Sequence, residues 1–500
     1  MTVEQALGRF QTSSSVNARI FRAAAIVGFF SVTVKLVATA KELTVAACFG
    51  RGDAVDALLL AYAIPAFVVS IAAGSLNAAL IPTYVQVRET EGEGAARQVF
   101  SGAVLCSFGI LIALTILLAA VGPTLLAHIA PSFSRQKVQL TRHLFYALLP
   151  IVVLSGLSSN WSSILNAAGR FALPAVTPIL TPLLSLLLIV TRAREWGIWS
   201  VAVGLVAGAA FEFGQLFGSV WACGLQPKLR WYGLTPALRQ VLAQYAPLLG
   251  AGIMSSGTTV IDQSMAAWLQ PGSVAALSYG NRIIGVLTGV TSMSLGTALI
   301  PYLSGMVAKE DWGGCRHTLT SYSRLVFTIA VPVSLFMVLG STQIVRLLYQ
   351  HGAFTASDTG VVASVQAMYA LQIPFFAVGL LHVRLLTALR RNDIVMMCAG
   401  LCLVLDVVLN VFCMRLMGIS GIALSSSLFF AVSSAFLTVA TRRLLARAER
   451  PGMGVHGVDV GGEDRRAVLG ESDGLCSRRS TNRRRARFSS AEAGSGVRQR

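Results

Sequence analysis

The chain has 500 residues, of which 54% are hydrophobic and 12% are charged, and its mean hydropathy is +0.68. Soluble domains carry about 25% charged residues, so this composition excludes an ordinary soluble globular protein. The net charge is +18. Much of that charge belongs to Lys and Arg residues in short segments between apolar runs, so it does not require a nucleic-acid partner.

The apolar residues fall into about a dozen runs of roughly 18 to 30 residues, a length that crosses about 30 Å of hydrocarbon as an α-helix. We therefore predict an all-α polytopic membrane protein with about 12 transmembrane helices. The predicted helices are centred near residues 30, 68, 110, 155, 183, 208, 252, 288, 333, 372, 402 and 430.

The N-terminal segment, residues 1–19, is polar, and the first apolar run begins at Ala23. That run is too long for the apolar part of a secretory signal, and no small-residue cleavage motif follows it. We therefore expect the first helix to remain as an anchor. Lys and Arg are more frequent in the loops that lie inside when the N-terminus is inside, which predicts that both termini are cytoplasmic.

Ionisable and amide side chains interrupt several predicted helices. An ionised side chain at mid-membrane costs about 2.5–3.5 kcal/mol on insertion scales, so such residues usually face a cavity or a partner. Buried ion pairs and side chains that reach the interface are the alternative explanation. The candidates are Lys35, Lys41 and Glu42 in the first helix, Asp56 and Asn77 in the second, Asp262 in the seventh, Asn281 and Arg282 in the eighth, Arg384 in the tenth, and Asp406 in the eleventh.

An internal repeat divides the chain into two halves. The segments ALIPTYV (79–85) and ALIPYLS (298–304) lie 219 residues apart, and AVDALLLAYAI (54–64) and SVAALSYGNRI (273–283) share that offset. After each ALIP segment we expect the helix to end in a charged loop. The repeat predicts two pseudo-symmetric six-helix lobes, 20–222 and 223–445, around a central cavity, an arrangement typical of transporters.

From residue 446 the composition changes to Gly, Ser and Arg, which predicts a disordered cytoplasmic tail over 446–500. Attraction of this basic tail to anionic lipids is the second interpretation. Binding of the tail to nucleic acid is not expected, because Phe488 is the one aromatic residue among its arginines. The eight cysteines include no CxxC pair, and no P-loop or metal-ligand spacing occurs, so we expect no cofactor, no metal and no enzymatic activity.

Three segments resemble a known family: FGRGDAVDALLLAYAIP (49–65), LQPGSVAALSYGNRIIG (269–285) and LLYQHGAFTASDT (347–359). They resemble the lipid II flippase family, MurJ or MviN, of the multidrug and polysaccharide exporter superfamily. The resemblance implies two six-helix lobes around a cationic cavity in the bacterial inner membrane. That cavity binds the diphosphate-linked sugar headgroup of the peptidoglycan precursor, which then moves to the outer leaflet.

Within this resemblance, the family's two first-helix arginines fall on Lys35 and Lys41. The family's aspartate after the first helix falls on Asp56, and its eighth-helix arginine falls on Arg282. The resemblance thus implies that these residues bind a lipid-linked glycan.

Other family positions differ. A second-helix arginine falls on Val69, a glutamate falls near Ala73, and two further helices have no counterpart after about residue 444. A flippase for another lipid-linked glycan, such as an exopolysaccharide, capsule or O-antigen precursor, therefore remains the main alternative. A drug or cation antiporter, and a scaffold that binds cell-wall synthesis proteins, are the others.

Overall fold

The computed structural model describes residues 27–223, 230–389 and 391–448. Within these residues the regular structure is helical throughout and contains no strand. The predicted all-α class is therefore confirmed. The predicted N-terminal segment, 1–19, and all but the first three residues of the predicted tail, 446–500, lie outside the described residues.

The N-terminal half contains the helices α1 to α8. A short 3₁₀ turn, Thr177–Ile179, joins α6 to α7. The bounds are α1 27–49, α2 Asp53–Glu91, α3 Glu93–Ile129, α4 Arg135–Leu148, α5 Pro150–Ala167, α6 Ala172–Val176, α7 Leu180–Trp196 and α8 Trp199–Ala222.

The C-terminal half contains the helices α9 to α16. Their bounds are α9 Pro236–Ala266, α10 Ser273–Ala308, α11 Trp312–Leu339, α12 Ser341–Tyr349, α13 Ala356–Ala370, α14 Ile373–Ala388, α15 Asn392–Met417 and α16 Ile419–Ala448.

Among the described residues, nine helical segments are long and apolar enough to cross a membrane. Three of these segments join two helices each, at 135–167, 172–196 and 356–388. The helices α1, α9 and α10 are long enough to cross as well, because an α-helix rises 1.5 Å per residue. The described segments thus agree with the predicted number of about 12.

Prolines account for the breaks inside the joined segments. Proline has no N–H to donate and its ring clashes with the preceding turn, so it breaks or bends a helix. Pro150 begins α5 directly after α4, and Pro374 lies at the start of α14 directly after α13. Pro178 lies in the 3₁₀ turn before α7.

Pro82 behaves differently from the sequence-based expectation. The helix α2 does not end at this residue but continues for nine further residues to Glu91. The predicted end at the ALIP segment was therefore wrong here. The side chains of α2 are buried on both sides of this position, at Leu80 and Thr83, so tertiary packing holds the helix together across the missing hydrogen bond.

The two halves share one core. Helix α2 packs against α3, α4 and α5 of its own half and against α9 and α10 of the other half. One hydrophobic cluster contains Val45 and Val55 from the N-terminal half and Tyr279, Tyr349 and Phe354 from the C-terminal half. The three aromatic rings lie 5.3 to 6.0 Å apart between centroids. This cluster lies at the α1–α2 end of the bundle, where α1 ends and α2 begins.

Candidate functional site

A cavity of about 480 Å³ lies between α1 and the helices of the C-terminal half. We call it the central cavity. Its lining joins a basic side, on α1 and α10, to an acidic side, on α9 and α15. Five residues predicted from the sequence line it: Lys35, Asp262, Asn281, Arg282 and Asp406. The charged residues of four helices, distant in sequence, therefore meet around one space.

On the basic side, Glu42 connects α1 to α10. Its Oε1 atom lies 2.8 Å from Lys41 Nζ and 2.5 Å from Arg282 Nη2, and its side chain is buried. Because one carboxylate is shared by two cations, the group of three side chains keeps one net positive charge. For Lys41 and Glu42, the structure therefore shows the buried ion pair that was the alternative to a cavity position. Arg282 takes part in the same group and also lines the cavity.

Lys35 is exposed and forms no ion pair with the residues that the structure describes. Its ammonium group lies against Gly289 of α10, where an added Cβ would overlap Lys35 Nζ. The absence of a side chain at this glycine leaves room for the lysine between the two halves. The central cavity therefore contains a positively charged side chain that an anionic ligand can pair with.

On the acidic side, Asp262 and Asp406 lie next to each other. Asp262 accepts hydrogen bonds from Asn410 Nδ2 at 2.7 Å and from Ser426 Oγ at 3.4 Å. Asp406 is 1% exposed, and its Oδ2 has no hydrogen-bond partner in the described part of the chain. Two adjacent carboxylates are stabilised when they share a proton or bind a hard cation. The described residues contain no group of three His, Cys, Asp or Glu side chains that would hold a metal ion.

Asp56, which the sequence placed with the cavity residues, lies instead at the α1–α2 end. Its carboxylate accepts hydrogen bonds from Lys137 Nζ at 2.8 Å and from the backbone N–H groups of Gly272 at 2.6 Å and Ala275 at 2.8 Å. The first turn of α10 has no side-chain cap of its own. Asp56 therefore supplies the cap from the other half.

The basic partner of Asp56 was not found by sequence reasoning. Lys137 lies in the first turn of α4, its side chain is 4% exposed, and its ammonium group lies over the ring of Phe133 at 3.9 Å. Asp53 is its second carboxylate partner, at 2.7 Å. In the sequence Lys137 is one basic residue among several in a polar loop, so no pattern distinguished it.

The remaining two predicted residues do not line the central cavity. Asn77 donates a hydrogen bond to Ser159 at 2.5 Å within the N-terminal half. Arg384 lies on α14, and its Nε has no hydrogen-bond partner among the described residues. A second opening, of about 380 Å³, lies between α1, α5 and α6, and Lys35 lines it too. We call it the side cavity.

The family model described as lipid II flippase MurJ matches residues 45–458, well over half of the chain. The chain belongs to the lipid II flippase MurJ family. The match begins at Val45, so Lys35, Lys41 and Glu42 precede it. The place of Lys35 at the central cavity, and the contact of Glu42 with Lys41 and Arg282, rest on the geometry of α1.

Curated relatives support membership of the MurJ family. A lipid II flippase MurJ from Burkholderia cenocepacia is 25% identical over 449 residues, which cover 85% of this chain and 84% of the relative. A probable lipid II flippase MurJ from Rhizobium tropici is 26% identical over 364 residues, covering 70% of this chain and 67% of the relative.

Solved structures show the same fold. A lipid II flippase MurJ in an inward closed conformation has a TM-score of 0.73 at 21% identity, covering 84% of this chain and 87% of that one. An inward-facing multidrug resistance MATE family transporter of the MOP superfamily has a TM-score of 0.71 at 12% identity, covering 86% and 100%. At these identities the likeness establishes the transporter fold alone, and it confirms the predicted architecture of two lobes around a cavity.

Proposed function

We propose that this protein moves lipid II from the inner to the outer leaflet of the bacterial inner membrane by alternating access of its two halves. One observation carries the proposal: Lys35, without an ion-pair partner in the described residues, lines the same central cavity as Arg282. A diphosphate attracts both side chains: the lysine ammonium acts as a point charge, and the planar guanidinium of the arginine donates hydrogen bonds to the phosphate oxygens.

The placement of these two cations in different halves supports alternating access. Lys35 belongs to α1 and Arg282 to α10. A diphosphate held by both therefore favours the arrangement in which the halves approach each other around it. Uncoupled movement of either half would separate the anion from one of its partners, so occupancy and closure are linked.

The contacts at the α1–α2 end support a closed gate there. The N–H of Ala353 donates to the carbonyl of Ala47 at 2.8 Å, and Arg51 Nε forms an ion pair with Asp358 at 3.0 Å. Both contacts join the two halves. With cytoplasmic termini, as the loop charges favour, this end faces outward, and these contacts must break before a ligand leaves to that side.

Flippases of other diphosphate-linked glycans remain the second candidate. Lys35 and Arg282 recognise the diphosphate that all such lipids share, and Val69 stands where the family resemblance places an arginine. A drug or cation antiporter is favoured only by the acidic pair Asp262 and Asp406, which suits a proton or a cation. Binding to cell-wall synthesis proteins stays a proposal of lower priority.

The test is complementation of a strain whose own lipid II flippase is depleted. Growth and normal cell shape are expected with the wild-type gene and not with Lys35→Ala. Lipid II in the outer leaflet is then measured by the access of an externally added enzyme that degrades it. Growth without exposure of lipid II at the outer surface would contradict the proposal. Failure to grow, with export of another lipid-linked glycan in its own assay, would favour the second candidate.

A further inference from the structure

The side cavity has two facing rows of polar side chains. Ser31 and Lys35 lie one turn apart on α1, and Ser162 and Asn166 lie one turn apart on α5. Residues four apart in a helix share a face. Each helix therefore presents two polar groups to the same space of about 380 Å³.

Three of these four side chains, Ser31, Ser162 and Asn166, have no hydrogen-bond partner among the described residues. Many hydroxyl groups in this protein donate to the carbonyl four residues earlier, as Thr33 does to Phe29 at 2.9 Å and Ser163 to Ser159 at 3.0 Å. The side chains of Ser31, Ser162 and Asn166 make no hydrogen bond to any described residue. Polar groups among apolar neighbours lose free energy unless they find a partner, so these three favour a ligand with hydroxyl or amide groups.

The third wall of the side cavity is apolar and uncharged. It is formed by the start of α6 and the 3₁₀ turn, with Phe171, Pro174 and Pro178. Phe171 is 40% exposed, so its ring is available for contact. Sugars combine hydroxyl groups with an apolar face, and a cavity that joins an aromatic ring to a few neutral polar groups suits that combination. The lining contains no carboxylate, and Lys35 is its only charged member among the described residues.

We propose that the side cavity is a sugar-binding subsite. Ser162 and Asn166 bind hydroxyl or amide groups of the first sugar, Phe171 packs against its apolar face, and Lys35, which lines both cavities, holds the adjoining phosphate. This inference rests on the proposed function, because it assumes a diphosphate-linked glycan at Lys35. Neither Ser162 nor Asn166 carries a charge, so a sequence analysis based on ionisable residues within the helices does not identify them.

The test compares two lipids on the purified full-length protein by native mass spectrometry or a fluorescence binding assay. One is lipid II, and the other is the polyprenyl diphosphate with the same tail and no sugar. Asn166→Leu keeps a similar volume without the amide, and Ser162→Ala removes the hydroxyl. Each is expected to raise the Kd for lipid II about tenfold, as for one lost hydrogen bond to a buried ligand, and to leave the sugar-free lipid unchanged.

Matched controls separate this result from general damage. Ser163→Ala changes the neighbouring serine, whose hydroxyl bonds within α5, and is expected to bind both lipids normally. Phe171→Ala alters an exposed side chain at the start of α6, so it tests the same subsite if Asn166→Leu fails to fold. It is expected to weaken lipid II alone.

Two outcomes would overturn the subsite. Equal weakening of both lipids would mean that the side cavity holds the diphosphate or the tail. No change for either lipid would mean that the sugar binds elsewhere. Lys35→Ala is expected to weaken both lipids. If it weakens neither, the proposed function fails, and this result differs from that of an incorrect sugar subsite.

Discussion

Asp56 and Lys137 form an ion pair of 2.8 Å between side chains that are both almost completely buried. The carboxylate belongs to α2 and the ammonium group to α4, and Asp56 also binds the first turn of α10 in the other half. Burial of two charges is unfavourable unless further hydrogen bonds satisfy them. Here the backbone of α10 supplies those bonds, so the pair contributes to the junction of the two halves.

The change Asp56→Asn is expected to lower the thermal stability of the purified protein. It leaves Lys137 buried with a single exposed carboxylate, and removing one partner of a buried pair costs about 3–5 kcal/mol. The measurement is the midpoint temperature of unfolding in detergent.

Asp53→Asn is the matched control, because Asp53 contacts the same ammonium group but is 55% exposed. Its loss should cost no more than about 1 kcal/mol. The double change Asp56→Asn with Lys137→Met should recover part of the lost stability, since no buried charge then lacks its partner. Equal effects of the two single changes would show that burial does not decide the strength of this contact.

Lys35→Ala and Arg282→Ala are expected to abolish transport while membrane abundance stays near that of the wild type. Removal of the Lys35 side chain leaves no buried carboxylate unpaired in the described structure. Removal of the Arg282 side chain leaves Glu42 still paired with Lys41. We therefore expect both variants to fold. Lys35→Arg should retain function, because the charge is kept. Complementation and immunoblots of membranes measure both quantities. Normal transport by both alanine variants would exclude an anionic headgroup bound between these residues.

Gly289→Ala is expected to impair transport by displacing Lys35, whose ammonium group occupies the space of the missing Cβ. Gly305→Ala, on the same helix, is the control, because nothing lies within 4 Å of its added Cβ. In a Lys35→Ala background, Gly289→Ala should have no further effect on substrate binding. An additional loss in that background would mean that the glycine acts through helix packing and not through the lysine.

Both termini are expected in the cytoplasm, because Lys and Arg favour the loops on that side. A C-terminal fluorescent protein that matures only in the cytoplasm should be bright, and a C-terminal alkaline phosphatase, active only in the periplasm, should be inactive. The reverse pattern would invert the orientation proposed for the α1–α2 end.

The sequence predicted the helices and several cavity residues because both leave local signals. The length of an apolar run indicates a membrane-spanning helix. A charged residue within such a run, such as Arg282 or Asp262, indicates a position that faces a cavity or a partner. The partner of Asp56 left no such signal, because Lys137 lies 81 residues away, in the first turn of α4, where the sequence alone shows only a polar segment. Ser162 and Asn166 are neutral and common in helices. Their proposed role depends on the packing of α1 and α6, which brings Lys35 and Phe171 beside them.

The continuation of α2 past Pro82 has a similar origin. A proline predicts a helix end from local geometry alone, whereas the helices that pack against α2 come from other parts of the chain. Sequence patterns of this kind describe what one helix favours by itself, and packing between helices decides the rest.

The shared carboxylate of Glu42 has a consequence for the empty transporter. Without substrate, Arg282 is already paired with the carboxylate of Glu42. This pairing reduces the attraction of the empty cavity for small anions from the cytoplasm. In the proposed mechanism, an arriving diphosphate competes with Glu42 for the arginine, and Glu42 then retains Lys41 on its own helix. Substrate binding at this point would be an exchange of one anion for another. The direct contact of Glu42 with Arg282, between α1 and α10, would be replaced by a bridge through the diphosphate from Lys35 to Arg282.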